Sequence, residues 1–304
     1  RGLGDVYKRQ IMNILVTGGT GFIGSALLES LVADGHTATV LTRGQPRDTR
    51  FRFINGLDEL GGDDDFDAVV NLAGASLADR RWNARYKQEL IDSRVGLTTE
   101  LVASLERLRR IPPSLVSASA IGFYGPGDDE PLREDSPAGE GFSAELCRDW
   151  EAAANAAEAL GTRVCIARLG VVLDRDGGAM EQMARPFRMG VANWMGDGHQ
   201  WLSWVHRSDV IAALRLLLDQ HALAGAFNVT APEPVTSRGF CAEMKKHYRT
   251  LVTAPVPGAA MRLLLGEMAD ELLLSGQRVL PGRLEAAGFR FRFPTLADAL
   301  DDLV

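Results

Sequence analysis

Four glycines, Gly18, Gly19, Gly21 and Gly24, stand at the spacing at which a chain can cradle a phosphate. The early ones permit a tight turn and let backbone N–H groups approach a pyrophosphate. Gly24 lets the following helix pack close to the preceding strand. The helix N-terminus then turns its partial positive charge on the phosphates. The context agrees, with an apolar strand at 14–17 before the glycines and an apolar stripe through Phe22, Ile23, Ala26, Leu27 and Leu31 after them. Gly18, Thr20, Gly21, Phe22, Ile23 and Gly24 are therefore expected to hold a dinucleotide.

The end of the second strand selects the cofactor. Arg43 lies 19 residues beyond Gly24, close to the ~20 at which a carboxylate would bind the ribose 2′-hydroxyl of NAD. No carboxylate occupies that place. Thr42 and Arg43 instead offer a hydroxyl and a guanidinium fork suited to a 2′-phosphate, so NADP(H) is the expected cofactor. Arg47 and Arg50 add positive potential nearby and read as surface.

The elements that must position these groups alternate. Strands are expected at 12–17, 37–42, 68–73, 114–119 and 163–168, with a short apolar piece at 51–54 and helices at 22–34, 84–109 and 144–160. Alternation of this kind predicts an α/β chain with a doubly wound parallel sheet. Beyond Arg168 the pattern loosens, with helices near 178–189, 209–219, 237–248, 259–274 and 295–303. We expect residues 12–170 to form the cofactor-binding core, and 171–304 to complete the sheet and form a smaller substrate lobe.

Composition sets bounds on function. The chain has 304 residues, 46% hydrophobic and 24% charged, as expected of a soluble globular protein, and its net charge of −7 argues against a nucleic-acid partner. Cys147, Cys165 and Cys241 are odd in number and lack metal-ligand spacing, which reads as reduced thiols in the cytoplasm. No apolar run approaches membrane-spanning length. Asp5-Val6-Tyr7-Lys8-Arg9-Gln10 reads as a translated transposon-end sequencing adapter, so residues 1–11 are set aside from the fold and the natural frame is expected to open at Met12.

Thr17-Gly-Gly-Thr-Gly-Phe-Ile-Gly24, Asn71-Leu72-Ala73-Gly74 and Ser117-Ala118-Ser119 resemble an extended short-chain dehydrogenase/reductase. Arg81-Trp82-Asn83, Asp92-Ser93-Arg94, Gly122-Phe123-Tyr124-Gly125, Trp150-Glu151, His199-Gln200-Trp201 and Ser275-Gly276-Gln277 narrow the resemblance to the atypical group described as epimerase family proteins, related to nucleotide-sugar epimerases. The likeness runs from Met12 to the C-terminus, including that group's own C-terminal segment. It implies a Rossmann fold and a small-molecule substrate of sugar-like type, with no membrane partner and an oligomeric state left open.

Against the parent superfamily this chain departs at the catalytic pair. Ordinary members use Tyr-x-x-x-Lys, the lysine lowering the tyrosine pKa and holding the ribose. The residues four beyond Tyr7, Tyr86, Tyr124 and Tyr248 are Ile11, Leu90, Asp128 and Val252, so the pair is missing. The resemblance aligns Ser143 with the tyrosine, Cys147 with the lysine, and Arg94 with a customary asparagine. A thiol near its ordinary pKa of ~8.5 is mostly neutral at pH 7 and cannot supply the lysine's charge. Arg94 or Arg168 is then left to hold the ribose.

Several side chains keep two readings. Ser119, at the carboxyl end of a parallel strand, is suited to bind a substrate carbonyl or is a satisfied strand-end hydroxyl. Tyr124 is an acid on a cleft loop or a packing anchor, and Cys147 is a weak proton donor or a packing residue. Leu72, Ala73 and Gly74 are expected to pass beside the cofactor. Glu89 either reaches its ribose or faces solvent. Two functions follow from these alternatives: an NADP(H)-dependent oxidoreductase or epimerase, or a non-catalytic NADP(H) sensor.

Overall fold

Strands β1 (Asn13–Thr17) and β4 (Ala68–Asn71) are almost wholly buried, as the centre of a parallel sheet covered on both faces requires. With β2 (Thr37–Leu41), β3 (Arg52–Ile54), β5 (Ser114–Ala120), β6 (Arg163–Leu169) and β7 (Gly225–Val229) they form a parallel sheet in the order β7-β6-β5-β4-β1-β2-β3. The computed structural model describes residues 11–44 and 48–304, so Arg47 and residues 1–10 of the expected leader lie outside the described residues. The strand order reverses between β1 and β4, which opens a crevice at their carboxyl ends.

The helices, in chain order, are α1 (Phe22–Ala33), α2 (Ala84–Ile91), α3 (Leu97–Leu105), α4 (Phe142–Asn155), α5 (Gly178–Arg188), α6 (Arg207–Asp219), α7 (Ser237–His247), α8 (Gly258–Leu265), α9 (Glu267–Leu272), α10 (Gly282–Ala286) and α11 (Leu296–Leu303). Alternate residues of each central strand serve opposite faces. Ile14, Val16 and Val70 pack with Leu27 and Leu31 of α1 and Leu214 and Leu217 of α6, whereas Leu15, Val69 and Leu115 pack with Leu101 and Leu105 of α3. A separate core, built on Met180, Phe187, Trp204, Phe240 and Leu300, lies in the C-terminal half. Among the described residues no helix is long and apolar enough to cross a membrane, and no cluster of His, Cys, Asp and Glu is disposed to hold a metal ion.

Three expected helices are corrected. The stretch 84–109 is not continuous: α2 passes through a π-helical turn at Asp92–Gly96 before α3, which ends at Leu105. An apolar stripe does not reveal such a turn, because one extra residue in the helical repeat leaves the same side chains apolar. The stretch 144–160 starts at Phe142 and tightens to a 3₁₀ turn over Ala156–Leu160. The stretch 259–274 breaks at Gly266, whose φ of +64° is left-handed and ends α8.

The C-terminal segment returns to the N-terminal half. Met268 of α9 joins Trp82, Tyr86, Leu90 and Leu146 in one apolar cluster, and Lys87 Nζ pairs with Glu267 at 2.6 Å. Helix α4 starts after Gly141, which has no side chain to cap it. Instead the carboxylate of Glu271 accepts from the backbone N–H groups of Phe142 at 2.9 Å and Ser143 at 2.8 Å. A cap supplied from 128 residues away does the work of a local N-cap. Glu271→Ala should therefore lower stability by about 1–2 kcal/mol in urea unfolding, and an unchanged midpoint would contradict the capping role.

Candidate cofactor and substrate cleft

Backbone clearance shapes the crevice. A Cβ on Gly18, whose φ is +68°, would stand 2.6 Å from the carbonyl of Leu72 and 2.7 Å from the nitrogen of Ala73. A Cβ on Gly24 would stand 2.2 Å from the carbonyl oxygen of Gly18. Only glycine permits these approaches, which bring the β1 turn against the loop after β4. Gly21 N donates to Gly18 O at 3.0 Å and closes the turn. No side chain caps α1 at Gly21 and its first turn holds no acidic residue, so its leading N–H groups are left for an anion. Thr20 is exposed at the turn and Ile23 is half-buried, while the Phe22 ring packs away against Gly178 and under the Arg207 guanidinium at 4.9 Å.

At the end of β2, Thr42 is buried and its hydroxyl accepts from Gly44 N at 3.1 Å. Arg43 is exposed and has no hydrogen bond or ion pair among the described residues. Arg50 differs, because Glu29 and Asp48 share its guanidinium.

The loop after β4 is held from beneath and from the side. Thr17 Oγ1 donates to Asn71 Oδ1 at 2.6 Å, and Asn71 Nδ2 donates to Thr98 Oγ1 at 2.8 Å and Ser117 Oγ at 3.1 Å. Further on, the π-helical turn engages both backbone polar groups of Ala75: Ser93 Oγ accepts from Ala75 N at 3.0 Å and Arg94 Nη2 donates to Ala75 O at 2.8 Å. A Cβ on Gly74 would lie 2.9 Å from Arg94 Cζ, so the guanidinium rests directly on the glycine. Its other side faces the Trp150 ring at 5.3 Å. Arg94 Nη1 is buried and has no hydrogen-bond partner among the described residues. Burial pulls the Arg94 pKa below its ordinary value, with the nearby Cys147 and Tyr86 opposing it. Glu89 is half-exposed and faces Arg80 at 3.5 Å.

Beyond β5 the polar groups commit to one another. Arg168 donates from Nε and Nη2 to the two oxygens of Glu151, each at 2.9 Å, and Ser119 Oγ donates to Glu151 Oε1 at 2.7 Å. Arg168 Nη1 donates to the Tyr124 hydroxyl at 3.0 Å, and that hydroxyl donates to Asn228 Oδ1 at 2.7 Å. Burial works against the charge of Arg168, but Glu151 outweighs it and holds the guanidinium pKa above its ordinary value. Burial also raises the Tyr124 phenol. Tyr124 and Arg168 thus meet inside the fold with their hydrogen-bonding groups engaged.

Cys147 lies beside the Ser119 hydroxyl and the Ala120 backbone, and burial together with Glu151 pushes its thiol up to about 11. One turn earlier, Ser143 is 8% exposed and its hydroxyl has no partner among the described residues. A Cβ on Gly122 would stand 3.2 Å from Ser143 Cβ and 3.8 Å from Cys147 Sγ, so Gly122 lets the loop after β5 lie close to both. The fold therefore gathers Ser119, Ser143 and Cys147 about the loop after β5, and brings the Gly18 turn against the loop of Leu72 to Gly74. Sequence reasoning assigned no part to Glu151 or Ser93, although Glu151 lies one helical turn beyond Cys147 and on its face.

Residues 14–230 match the family model described as the NAD dependent epimerase/dehydratase family, and residues 256–303 match a domain of unknown function, DUF1731. An epimerase family protein of Mycobacterium bovis is 39% identical over 292 residues, 94% of this chain and 96% of that protein. The chloroplastic SDR39U1 homolog of Arabidopsis thaliana, also an epimerase family protein, is 36% identical over 96% of this chain and 87% of that one. Among solved structures, human epimerase family protein SDR39U1, crystallised with NADPH, has a TM-score of 0.85 at 35% identity over 96% of this chain and 99% of its own. This chain belongs to the NAD-dependent epimerase/dehydratase family, within its atypical short-chain dehydrogenase/reductase group that carries the additional C-terminal segment.

Proposed function

We propose that this chain binds NADP(H) in the crevice between β1 and β4 and acts on a small polar, sugar-like substrate as an oxidoreductase or epimerase. The observation that carries the reading is the uncapped N-terminus of α1, set over a crevice that Gly18 and Gly24 keep open to backbone approach. Arg43 supports the 2′-phosphate, being exposed, at the end of β2 and unengaged among the described residues. The human relative crystallised with NADPH supports the same choice. In this reading residues 12–170 hold the cofactor, residues 171–304 finish the sheet and shape the substrate lobe, and the protein works in the cytoplasm.

A bound nicotinamide supplies or accepts the hydride. On the protein side, the Ser143 hydroxyl is the polar group at the former tyrosine position with a hydrogen bond still to make. Ser119 already gives its proton to Glu151, so it offers a substrate hydroxyl a lone pair rather than a proton. The Cys147 thiol stays neutral at physiological pH and contributes no charge. One observation favours the second reading, a non-catalytic NADP(H) sensor: the Tyr124 hydroxyl and the Arg168 guanidinium are engaged with each other and with Asn228 and Glu151 in the interior.

Titration with NADPH and NADH, followed by a panel of carbonyl compounds, separates these readings. Oxidation of bound NADPH by one of them, lost in Ser143→Ala, establishes the reductase, whereas tight binding without turnover favours the sensor. Arg43→Asp should weaken NADPH by roughly 10- to 100-fold and leave NADH nearly unchanged; equal losses for both would remove the 2′-phosphate assignment.

The thiols give an independent check. Cys147, Cys165 and Cys241 are buried and all three are raised by burial, so a disulfide reagent at pH 7.5 should label them only after unfolding. Cys147 stands at about 11 in the fold against 9.0 unperturbed, so its neutral form favours folding fully below pH 9 and that contribution fades towards pH 11. Cys147→Ser should flatten the alkaline loss of stability relative to the parent chain, and rapid labelling of the folded protein would contradict the assignment.

A further inference from the structure

Arg43 has to hold its direction without a partner. It is exposed, and no hydrogen bond or ion pair engages it among the described residues. The next two described arginines in the chain are committed: Glu29 and Asp48 share Arg50, and Asp64 pairs with Arg52. A free side chain of this length keeps many rotamers, and binding an anion costs the entropy of ordering it. What the fold can fix in advance is the backbone that carries the side chain.

That backbone is held from β3. The pairing of β2 with β3 ends where Thr42 N donates to Ile54 O at 2.9 Å. The next residue, Asn55, reaches back across the turn. Its side-chain amide turns its NH2 on Gly44 O at 3.0 Å and Thr42 O at 3.1 Å, the orientation in which both carbonyls meet a donor. These are the carbonyls of the residues on either side of Arg43. Thr42 Oγ1 closes the same turn from within by accepting from Gly44 N at 3.1 Å. Asn55 is itself anchored, because Glu59 Oε1 accepts from the backbone N–H groups of Asn55 at 2.7 Å and Gly56 at 3.1 Å. A line of contacts therefore runs from Glu59 through Asn55 to the residues that flank Arg43, and every member of it lies outside β1, α1 and the loop after β4.

Resting on the NADP(H) reading, we propose that Asn55 sets the preference for NADP(H) over NAD(H) by fixing the turn that presents Arg43 to the 2′-phosphate. It is a positioning residue and acts on the cofactor through Arg43. The physical basis is pre-organisation: with both flanking carbonyls held, the Cα–Cβ bond of Arg43 keeps one direction, and only the side-chain torsions remain for the phosphate to order. Without the amide, two carbonyls turn to water and the turn gains freedom that binding has to remove. NAD(H) carries a hydroxyl in place of the phosphate and asks little of a guanidinium, so its binding is indifferent to the turn. Asn55 is exposed, so truncating it opens no cavity in the core.

Calorimetric titration of the full chain with NADPH and NADH tests the assignment as a double-mutant cycle. Asn55→Ala should weaken NADPH by about 3- to 10-fold and leave NADH within about twofold. Added to Arg43→Ala, the same substitution should change NADPH by less than about twofold, because the group it positions is gone. Asn55→Leu keeps the bulk without the donor, should repeat the pattern, and serves if Asn55→Ala fails to fold. Equal losses for the two cofactors, no loss for either, or a full NADPH loss that persists beside Arg43→Ala would each overturn the role of Asn55. A parent chain that binds NADPH no more tightly than NADH would instead overturn the cofactor reading on which it rests, so the two failures are distinguishable.

Discussion

The bidentate pair between Arg168 and Glu151 is the interaction on which the carboxyl ends of the sheet depend. Their side chains are only 6% and 9% exposed, and the pair joins β6 to α4. Ser119 brings β5 to the same carboxylate, and Tyr124 carries the connection from Arg168 to Asn228 on β7. Against well-packed apolar residues such a pair is worth little, because both charges lose their water. Removing one partner alone leaves the other buried and unpaired, at a cost of about 3–5 kcal/mol. The pair therefore acts as a registry device, fixing how four elements meet at the edge of the cleft. It also engages the hydrogen-bonding groups of the tyrosine and arginine it draws in.

On the other side of the cleft the controlling constraint is steric. The β1 turn and the loop after β4 approach so closely that a methyl group at Gly18 or Gly24 would meet backbone atoms, which cannot move aside as side chains do. Beneath them the network of Thr17, Asn71, Thr98, Ser117 and Trp150 satisfies its buried polar groups and holds the strands in register with α3 and α4. Such close backbone approach suits the recognition of a pyrophosphate by backbone N–H groups.

The C-terminal segment completes this frame rather than lying beside it. Glu271 caps α4 at Phe142 and Ser143, Gln277 Nε2 donates to Gly125 O at 2.6 Å, and Ser203 Oγ donates to Gln277 O at 2.6 Å. Gly276 passes so close to Trp201 that a Cβ would stand 1.9 Å from the carbonyl oxygen of that residue. The motifs Ser275-Gly276-Gln277 and His199-Gln200-Trp201, far apart in the chain, are two sides of one contact. That contact gives a physical reason for the matched segment 256–303 to accompany the family core.

Features that depend on neighbours in the chain were legible from the residues alone. The glycine turn, the alternation of strands and helices, the place of Arg43 and the lack of Tyr-x-x-x-Lys are all local patterns, set by backbone sterics, side-chain periodicity and spacing. Partnerships were not legible. Tyr124 and Asn228 are 104 residues apart and Ser143 and Glu271 are 128, and no local signal says which acceptor a donor will meet. The π-helical turn belongs with these: its Ser93 and Arg94 bond the backbone of Ala75, a partnership the periodicity of 84–109 does not signal. Sequence determined that a dinucleotide cradle exists and that the usual catalytic pair does not. Tertiary structure alone decided that Arg168 is consumed by a carboxylate and that Arg94 is not, because hydrogen bonds are satisfied through space and not along the chain.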